Sequence, residues 1–358
     1  MSAFVTMSPP GGRTARKRLA GLWENSGMLV VLLVLLVGVS ALVPNFASLV
    51  NFKGLALMVA TVGIIACTML LCLASGDFDL SVGSVVAMSG VLAAVVVNAT
   101  GSVPLGIAAG VLAGGLVGLV NGTVIAVLRI NALITTLATM QIVRGLSYIV
   151  SQGKAIGVRE EGFYLLGNTA WPRFNGYFPT LSVSYHTGFP WVQWSFGFVY
   201  GDMSIPTPVW IMLGCFVFFG LLLNKTTFGR SALAIGGNAE ASRLAGIAVA
   251  RTKIVIFTLQ GLVAGFAGVI LASRMTSGQP TTGQGLELQV ISACVLGGVS
   301  LTGGVGTMLG VMVGVLIMGT TQNAMNLCNI PPFYQYVASG GILLAAVLID
   351  RLKQGRSR

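Results

Sequence analysis

The chain has 358 residues, 55% of them hydrophobic and only 8% charged. Soluble globular domains carry about a quarter charged residues, so a soluble enzyme is excluded as a class, and long charge-poor runs favour one polytopic bundle. The net charge of +11 does not point to nucleic acid, because the cations gather at the ends of apolar runs as a membrane topology signal would.

The opening segment, 1–27, is basic at Arg13, Arg16, Lys17 and Arg18 and precedes an apolar run from Met28. It has no clear cleavage site, so it is expected to be a cytoplasmic segment followed by a retained anchor helix. A membrane helix needs roughly 20 apolar residues. On that criterion spans are expected over 28–46, 54–75, 80–98, 104–127, 131–150, 207–223, 252–272, 286–301, 304–322 and 333–349. Together they make one transmembrane domain over 28–350, followed by a basic tail over 351–358. The expected fold class is an all-α integral membrane protein of about ten transmembrane helices. The eighth and ninth spans are interrupted by Gly297, Gly298, Gly303, Gly304 and Gly306, and are either two spans or one broken element.

With the N-terminus inside, fourteen lysines and arginines fall inside and five outside, with Arg144 within a span. The opposite orientation would reverse the bias, so N-in and C-in is expected. Five cysteines, Cys67, Cys72, Cys215, Cys294 and Cys328, lie in or beside apolar runs without C-x-x-C spacing. They are expected to be small buried hydrophobes rather than metal or redox ligands.

Asp77 and Asp79, flanked by Gly76 and Gly83, form the only acidic pair within the apolar region of the first half. A charge at the bilayer centre costs about 2.5–3.5 kcal/mol on insertion scales, so the pair must sit at an edge, line a wet cavity or cap a helix. Asp79 either caps the third span or belongs to a broken helix beside a translocation path. Gln141, Arg144 and Ser147 recur at i, i+3 and i+6 of the fifth span. That face either lines a pore or subunit interface, or lets Arg144 snorkel to the outer edge.

The loop 151–206 is expected outside the membrane as an extended periplasmic loop. It holds Trp171, Trp191, Trp194 and the single histidine, His186. Aromatics mixed with Gly and Pro suit either an interfacial belt or a docking surface; a lone histidine there makes no metal site.

The loop 224–251 is expected inside. Asn238 is a good N-cap, Glu240 falls in the first turn where negative charge suits the helix dipole, and Gly246 sits where a C′ glycine would end the helix. A two-turn helix is marginal alone and needs something to pack against. A partner subunit and an amphipathic connector are the two readings open to it. Gly297-Gly298 and Gly303-Gly304 echo Gly76 and Gly83 a few residues after a cysteine, which either traces an internal duplication or reflects glycine packing.

Several motifs resemble one family. Glu240-Ala241, with Gly246 six residues after the glutamate, is similar to the E-A-A-x-x-x-G signature of ABC importer permeases, with Ser242 at the second alanine. Gly76-Asp77-Phe78-Asp79-Leu80-Ser81-Val82-Gly83 resembles the G-x-x-D-L-S-V-G stretch of the ribose, arabinose, xylose and galactose permeases. The stretches 131–145, 273–280 and 296–304 share their character, and the arabinose branch is the most similar. The resemblance covers roughly 25–156 and 205–352, and departs from the family at 170–205, where the aromatic loop is longer.

That resemblance implies an ABC importer permease fold in the bacterial inner membrane, moving a monosaccharide by alternating access. It implies an ATP-binding cassette ATPase subunit, a periplasmic sugar-binding protein, a second copy of the chain as homodimer, and membrane lipid as partners. Asn238, Glu240, Ala241, Arg243 and Gly246 would form the ATPase-coupling helix. Gly76, Asp77, Asp79, Gln141, Arg144, Gly297 and Gly298 are the candidate pore or helix-break residues. No cofactor is expected on this chain. ATP and Mg would be used by the partner, since G-x-x-x-x-G-K-[ST] is absent and one histidine rules out H-E-x-x-H. The alternative is an ion-coupled secondary transporter of a small neutral solute, for which Asp77, Asp79, Arg144 and Glu287 are the candidate coupling groups.

Overall fold

The computed structural model describes residues 12–172, 175–185, 192–202 and 204–355. Residues 1–11 of the basic segment, Arg173, His186, Trp191 and 356–358 of the tail lie outside the described residues. The chain forms α1 (Gly12–Leu42), α2 (Leu49–Ala74), α3 (Val82–Thr100), α4 (Val103–Ala126), α5 (Ala132–Ser151), β1 (Ile156–Gly157) and α6 (Glu161–Asn168). Then come β2 (Asn175–Tyr185), β3 (Val192–Asp202), α7 (Thr207–Lys225), α8 (Thr227–Gly237), α9 (Ala239–Leu244) and α10 (Val249–Arg274). It finishes with β4 (Ser277–Gly278), α11 (Leu286–Leu296), α12 (Met308–Leu327) and α13 (Pro332–Gly355).

Among the described residues seven helices are long and apolar enough to cross a membrane: α2, α3, α4, α5, α7, α10 and α12. The chain is therefore a mostly helical integral membrane protein. The expected eighth and ninth spans are separate elements, parted by non-helical backbone over 297–307. With eleven residues, α11 is only about 16 Å long at 1.5 Å per residue, half of what the hydrocarbon requires.

The core is built around α2, buried on almost every side from Val59 to Ala74. It is packed by α7, α10, α11 and α12. Beside it, α4 and α10 meet through small residues. Gly110, Gly114, Gly118 and Gly122 recur every fourth residue and are buried, the first three against Gly261 and Gly265 of α10 and Gly122 against Ile254 and Phe257. Lipid supplies no hydrophobic drive between helices, so close backbone approach and dispersion must hold this pair. A Cβ at Gly118 would overlap Phe257 O and lie 2.9 Å from Phe257 C. Gly118→Ala is expected to destabilise the protein by about 1–3 kcal/mol through overpacking, read as a lower thermal midpoint in detergent.

The expectation of an all-α fold is corrected at 175–202, where β2 and β3 form an antiparallel hairpin. The cause is a period-2 pattern. Tyr177, Pro179 and Leu181 pair with Tyr200, Phe198 and Phe196, so one face is aromatic and apolar. Tyr177, Phe196, Phe198 and Tyr200 are exposed on it. Lys53 at the start of α2 reaches Asp202 at 3.6 Å. The Ser204 hydroxyl and N–H, at 2.6 and 2.8 Å, hold the Asp202 carboxyl below the usual carboxylate range, with Lys53 adding to the effect. Below the hairpin, Trp171 stacks on Trp210 of α7 with ring centroids 5.4 Å apart, and Trp210 Nε1 donates to Trp171 O.

Candidate functional site

At the end of the bundle opposite the hairpin, α2 terminates on a glycine. Gly76 takes φ +82, a conformation that penalises any side chain, while the Asp77 N–H donates to Cys72 O at 3.0 Å. The ending of α11 repeats it, with Gly298 at φ +83 and the Val299 N–H on Cys294 O at 3.1 Å. Both glycines thus stand four residues after a cysteine and break a helix. The same local chemistry acts at both helix ends that the sequence pattern paired.

After Gly76 the backbone is non-helical over 77–81, up to α3. Asp77 forms an ion pair of 2.7 Å with Lys253 of α10, with side chains only 10% and 18% exposed. Asp79 is buried and accepts from the Ser81 N–H at 2.8 Å and the Ser81 hydroxyl at 2.6 Å. The N-cap position of α3 is Ser81 itself, so Asp79 orients the residue that begins the helix rather than capping it. Asn121 of α4 donates to Ser81 Oγ at 3.0 Å and accepts from Thr139 of α5 at 2.7 Å. One hydrogen-bonded chain therefore joins the segment 77–81 to α4 and α5. Neither Lys253 nor Asn121 stood out in the sequence, because their partners are distant along the chain.

The loop expected at 224–251, with one short helix starting at Asn238, instead holds two helices in tandem. Thr226 caps α8 by accepting from the Gly229 N–H, and Gly229, Ala232 and Ile235 are buried. A Cβ at Gly236 would overlap Ala74 O and lie 2.5 Å from Gly304 N, and Gly304 N–H donates to Ala74 O at 2.9 Å. The end of α8 is thus wedged between the end of α2 and the turn at Gly303-Gly304. In α9, Asn238 accepts from the Ala241 N–H at 2.9 Å. Gly246, at φ +86, closes the helix with its N–H on Arg243 O and the Ile247 N–H on Ser242 O. Glu240 pairs with Arg243 at 2.6 Å, an exposed pair that raises the arginine further above its ordinary value. Ala241 stands in this same helix, whose side chains are largely exposed apart from Ser242.

A cavity of about 480 Å³ opens beside α9, lined by Asp77, Arg129, Asn131, Glu240, Arg243 and Lys253 among others. The structure therefore brings Asp77, Glu240 and Arg243 together. It leaves Gln141 exposed on α5, away from the buried face of that helix. Gly297 packs on α12, where a Cβ would lie 2.5 Å from Gly310 O.

Arg144 is turned onto protein. It is the thirteenth residue of α5, roughly 18 Å along that helix, and Nη1 donates to Pro280 O and Thr282 O, both at 2.7 Å. Those carbonyls belong to a non-helical segment between β4 and α11 that lies against α3. A Cβ at Gly278 would approach Gly90 O at 2.6 Å, and one at Gly283 would approach Gly83 O at 2.7 Å. The segment thus descends from the middle of α3 to its first turn. Irregular backbone at such depth is tolerated only against protein or a wet cavity, and Arg144 satisfies two of its carbonyls.

Residues 51–347 match the family model described as branched-chain amino acid transport system / permease component. The L-arabinose transport system permease protein of Escherichia coli (strain K12) is 55% identical over 354 residues, 99% of this chain and 98% of that protein. The L-arabinose ABC transporter permease protein of Azospirillum brasilense is 51% identical over 98% of this chain and 95% of its own length. The ribose import permease protein of Escherichia coli (strain K12) is 35% identical over 91% of this chain and 93% of its own length. No solved structure matches the chain. By the family model and by full-length identity, the chain belongs to the permease-component family of binding-protein-type transport systems that includes these arabinose and ribose permeases.

Proposed function

We propose that this chain is the membrane-spanning permease subunit of a binding-protein-dependent ABC importer of L-arabinose, in the bacterial inner membrane. The observation that carries the reading is 55% identity along nearly the whole length of an L-arabinose permease. In this reading ten elements enter the membrane, α1 to α5, α7 and α10 to α13, with both termini in the cytoplasm. The preponderance of lysine and arginine on that side supports the orientation. The hairpin end then faces the periplasm and a sugar-binding protein, and the α8–α9 end faces an ATPase subunit that binds ATP and Mg. A second copy of the chain completes the pathway.

In the mechanism, α9 rests in a groove of the ATPase and follows its closure. The motion passes through the backbone contacts of Gly236 with Ala74 and Gly304, and through the Lys253–Asp77 pair, to the segment that begins α3. Opening and closing the gap between two permease subunits then exposes the sugar to one side at a time. The ion-coupled alternative is disfavoured because Asp77 is committed to Lys253 and Asp79 to Ser81.

Gentle detergent purification of the tagged chain from its host is expected to bring down a Walker-type ATPase at about one copy per permease. A lone chain under several mild detergents would overturn the reading. Glu240→Lys and Gly246→Trp are expected to leave the protein inserted while abolishing sugar uptake and weakening ATPase association. Uptake at the parental rate in both would remove α9 from the coupling role.

A further inference from the structure

The cavity of about 480 Å³ beside α9 is of ligand size, within the range of roughly 300–1,000 Å³, and its charges do not cancel. Three cations line it, Arg129, Arg243 and Lys253, against two carboxylates, Asp77 and Glu240. Both carboxylates are already neutralised, Asp77 by Lys253 and Glu240 by Arg243. Arg129 enters none of the ion pairs formed within 4.0 Å by the described residues, so one positive charge is left over. Donors remain beside it. Asn131 uses its side-chain oxygen on the Leu133 N–H at 2.8 Å, which leaves its amide NH₂ to donate. Arg243 gives Glu240 only Nη2. Arg129 itself stands just past α4 with φ +56, a conformation that suits glycine and penalises a side chain. The turn therefore gives no reason for an arginine. Around it Val127, Leu128 and Ile130 are exposed, as are Leu133 and Ile134 in the first turn of α5. The unpaired cation thus sits among exposed apolar side chains, at the junction of two membrane-spanning helices.

We propose that this cavity binds the headgroup phosphate of an anionic phospholipid, with Arg129 as its principal partner. A guanidinium fork matches two phosphate oxygens. The Asn131 amide and the unused Arg243 nitrogens add donors, and the exposed apolar side chains at the junction receive the acyl chains. A basic pocket between membrane helices at the headgroup level is the kind of site that holds such lipids. A zwitterionic headgroup would bring its own ammonium toward Arg243 and Lys253, so the site selects for a net negative lipid. The importer reading supplies only the orientation, which puts the lipid in the cytoplasmic leaflet. Since α9 contributes Glu240 and Arg243 to the wall, a bound lipid also steadies that helix from its membrane side.

The test uses the full chain purified in detergent and titrated with phosphatidylglycerol, phosphatidylethanolamine or inorganic phosphate. Native mass spectrometry reads the lipid retained, and thermal unfolding reads the midpoint. Phosphatidylglycerol is expected to stay bound as a single copy and to raise the midpoint, while phosphatidylethanolamine does neither. Arg129→Gln is expected to weaken phosphatidylglycerol binding about tenfold, the worth of one charge-assisted hydrogen bond. Arg129→Gly removes the same charge at a turn that glycine favours, so it makes the test without a folding defect and is expected to match. Equal phosphatidylglycerol retention by the parent and Arg129→Gly would overturn the proposal, as would equal retention of the two lipids by the parent. A midpoint raised as much by inorganic phosphate as by phosphatidylglycerol would give the cavity to a soluble phosphate instead. Weaker capture of the ATPase by Arg129→Gly, with lipid retention unchanged, would give it to an acidic group of that partner and equally overturn the lipid site. Retention is read without transport, so failure of the importer reading would show separately, as absence of L-arabinose uptake.

Discussion

Lys253→Met is expected to lower the stability of the purified protein by about 3–5 kcal/mol, because it leaves the Asp77 carboxylate buried without its cation. Asp77→Asn should cost less, since it removes the anion and leaves the flexible lysine stem free to reach water. The combined Asp77→Asn, Lys253→Met protein is expected to recover most of the loss, as replacing a whole buried pair is often near neutral. Thermal unfolding in detergent reads all three. If the double replacement were no more stable than Lys253→Met, the 2.7 Å pair would not be the source of the effect. Sugar uptake adds a second reading. The pair links the segment that begins α3 to the start of α10, directly after α9. The double replacement should therefore restore stability without restoring the coupling of ATP hydrolysis to transport.

Gly83→Leu is expected to be as damaging, by a different route. A Cβ there would overlap Gly283 O and Glu287 Oε2, and the remaining side chain has nowhere to go between α3 and the re-entrant segment. Overpacking of this kind costs typically about 1–3 kcal/mol, and contact with backbone, which cannot rotate away, puts this site at or beyond the top of that range. Displacing 280–284 also pulls two carbonyls away from Arg144, leaving buried polar groups unpaired at about 1–3 kcal/mol each. The expected result is loss of the folded, monodisperse protein. Parental yield and melting behaviour in Gly83→Leu would mean the segment does not lie along the first turn of α3.

Much of this architecture is legible in the sequence, and the exceptions have physical causes. Apolar runs long enough to span a membrane are unambiguous, and all seven helices of that length were expected as spans. The caps of α9 are legible because Asn238 and Gly246 act on their own neighbours. The helix α8 was missed although Phe228, Ala232 and Ile235 mark a helical stripe, because Gly229, Gly236 and Gly237 suggest loop. Gly229 and Gly236 are there for close packing at Leu223, Ala74 and Gly304, whereas a Cβ at Gly237 would meet nothing within 4 Å. The hairpin carried its own signal in the alternation of Tyr177, Pro179 and Leu181, which an emphasis on aromatic composition passed over. The re-entrant segment has no periodic signal at all. Its position follows from backbone contacts with α3 and from one arginine on another helix. Gln141 shares a nominal face with Arg144, and α5 leaves it exposed.

Uptake by reconstituted liposomes tests most directly whether this chain passes L-arabinose under the power of a separate ATPase. With binding protein and sugar on one side and ATP, Mg and the ATPase on the other, labelled L-arabinose is expected to accumulate against its gradient. Accumulation should stop when the ATPase is omitted and persist when proton and sodium gradients are collapsed. Uptake by the chain alone, driven by an ion gradient and indifferent to ATP, would contradict the account.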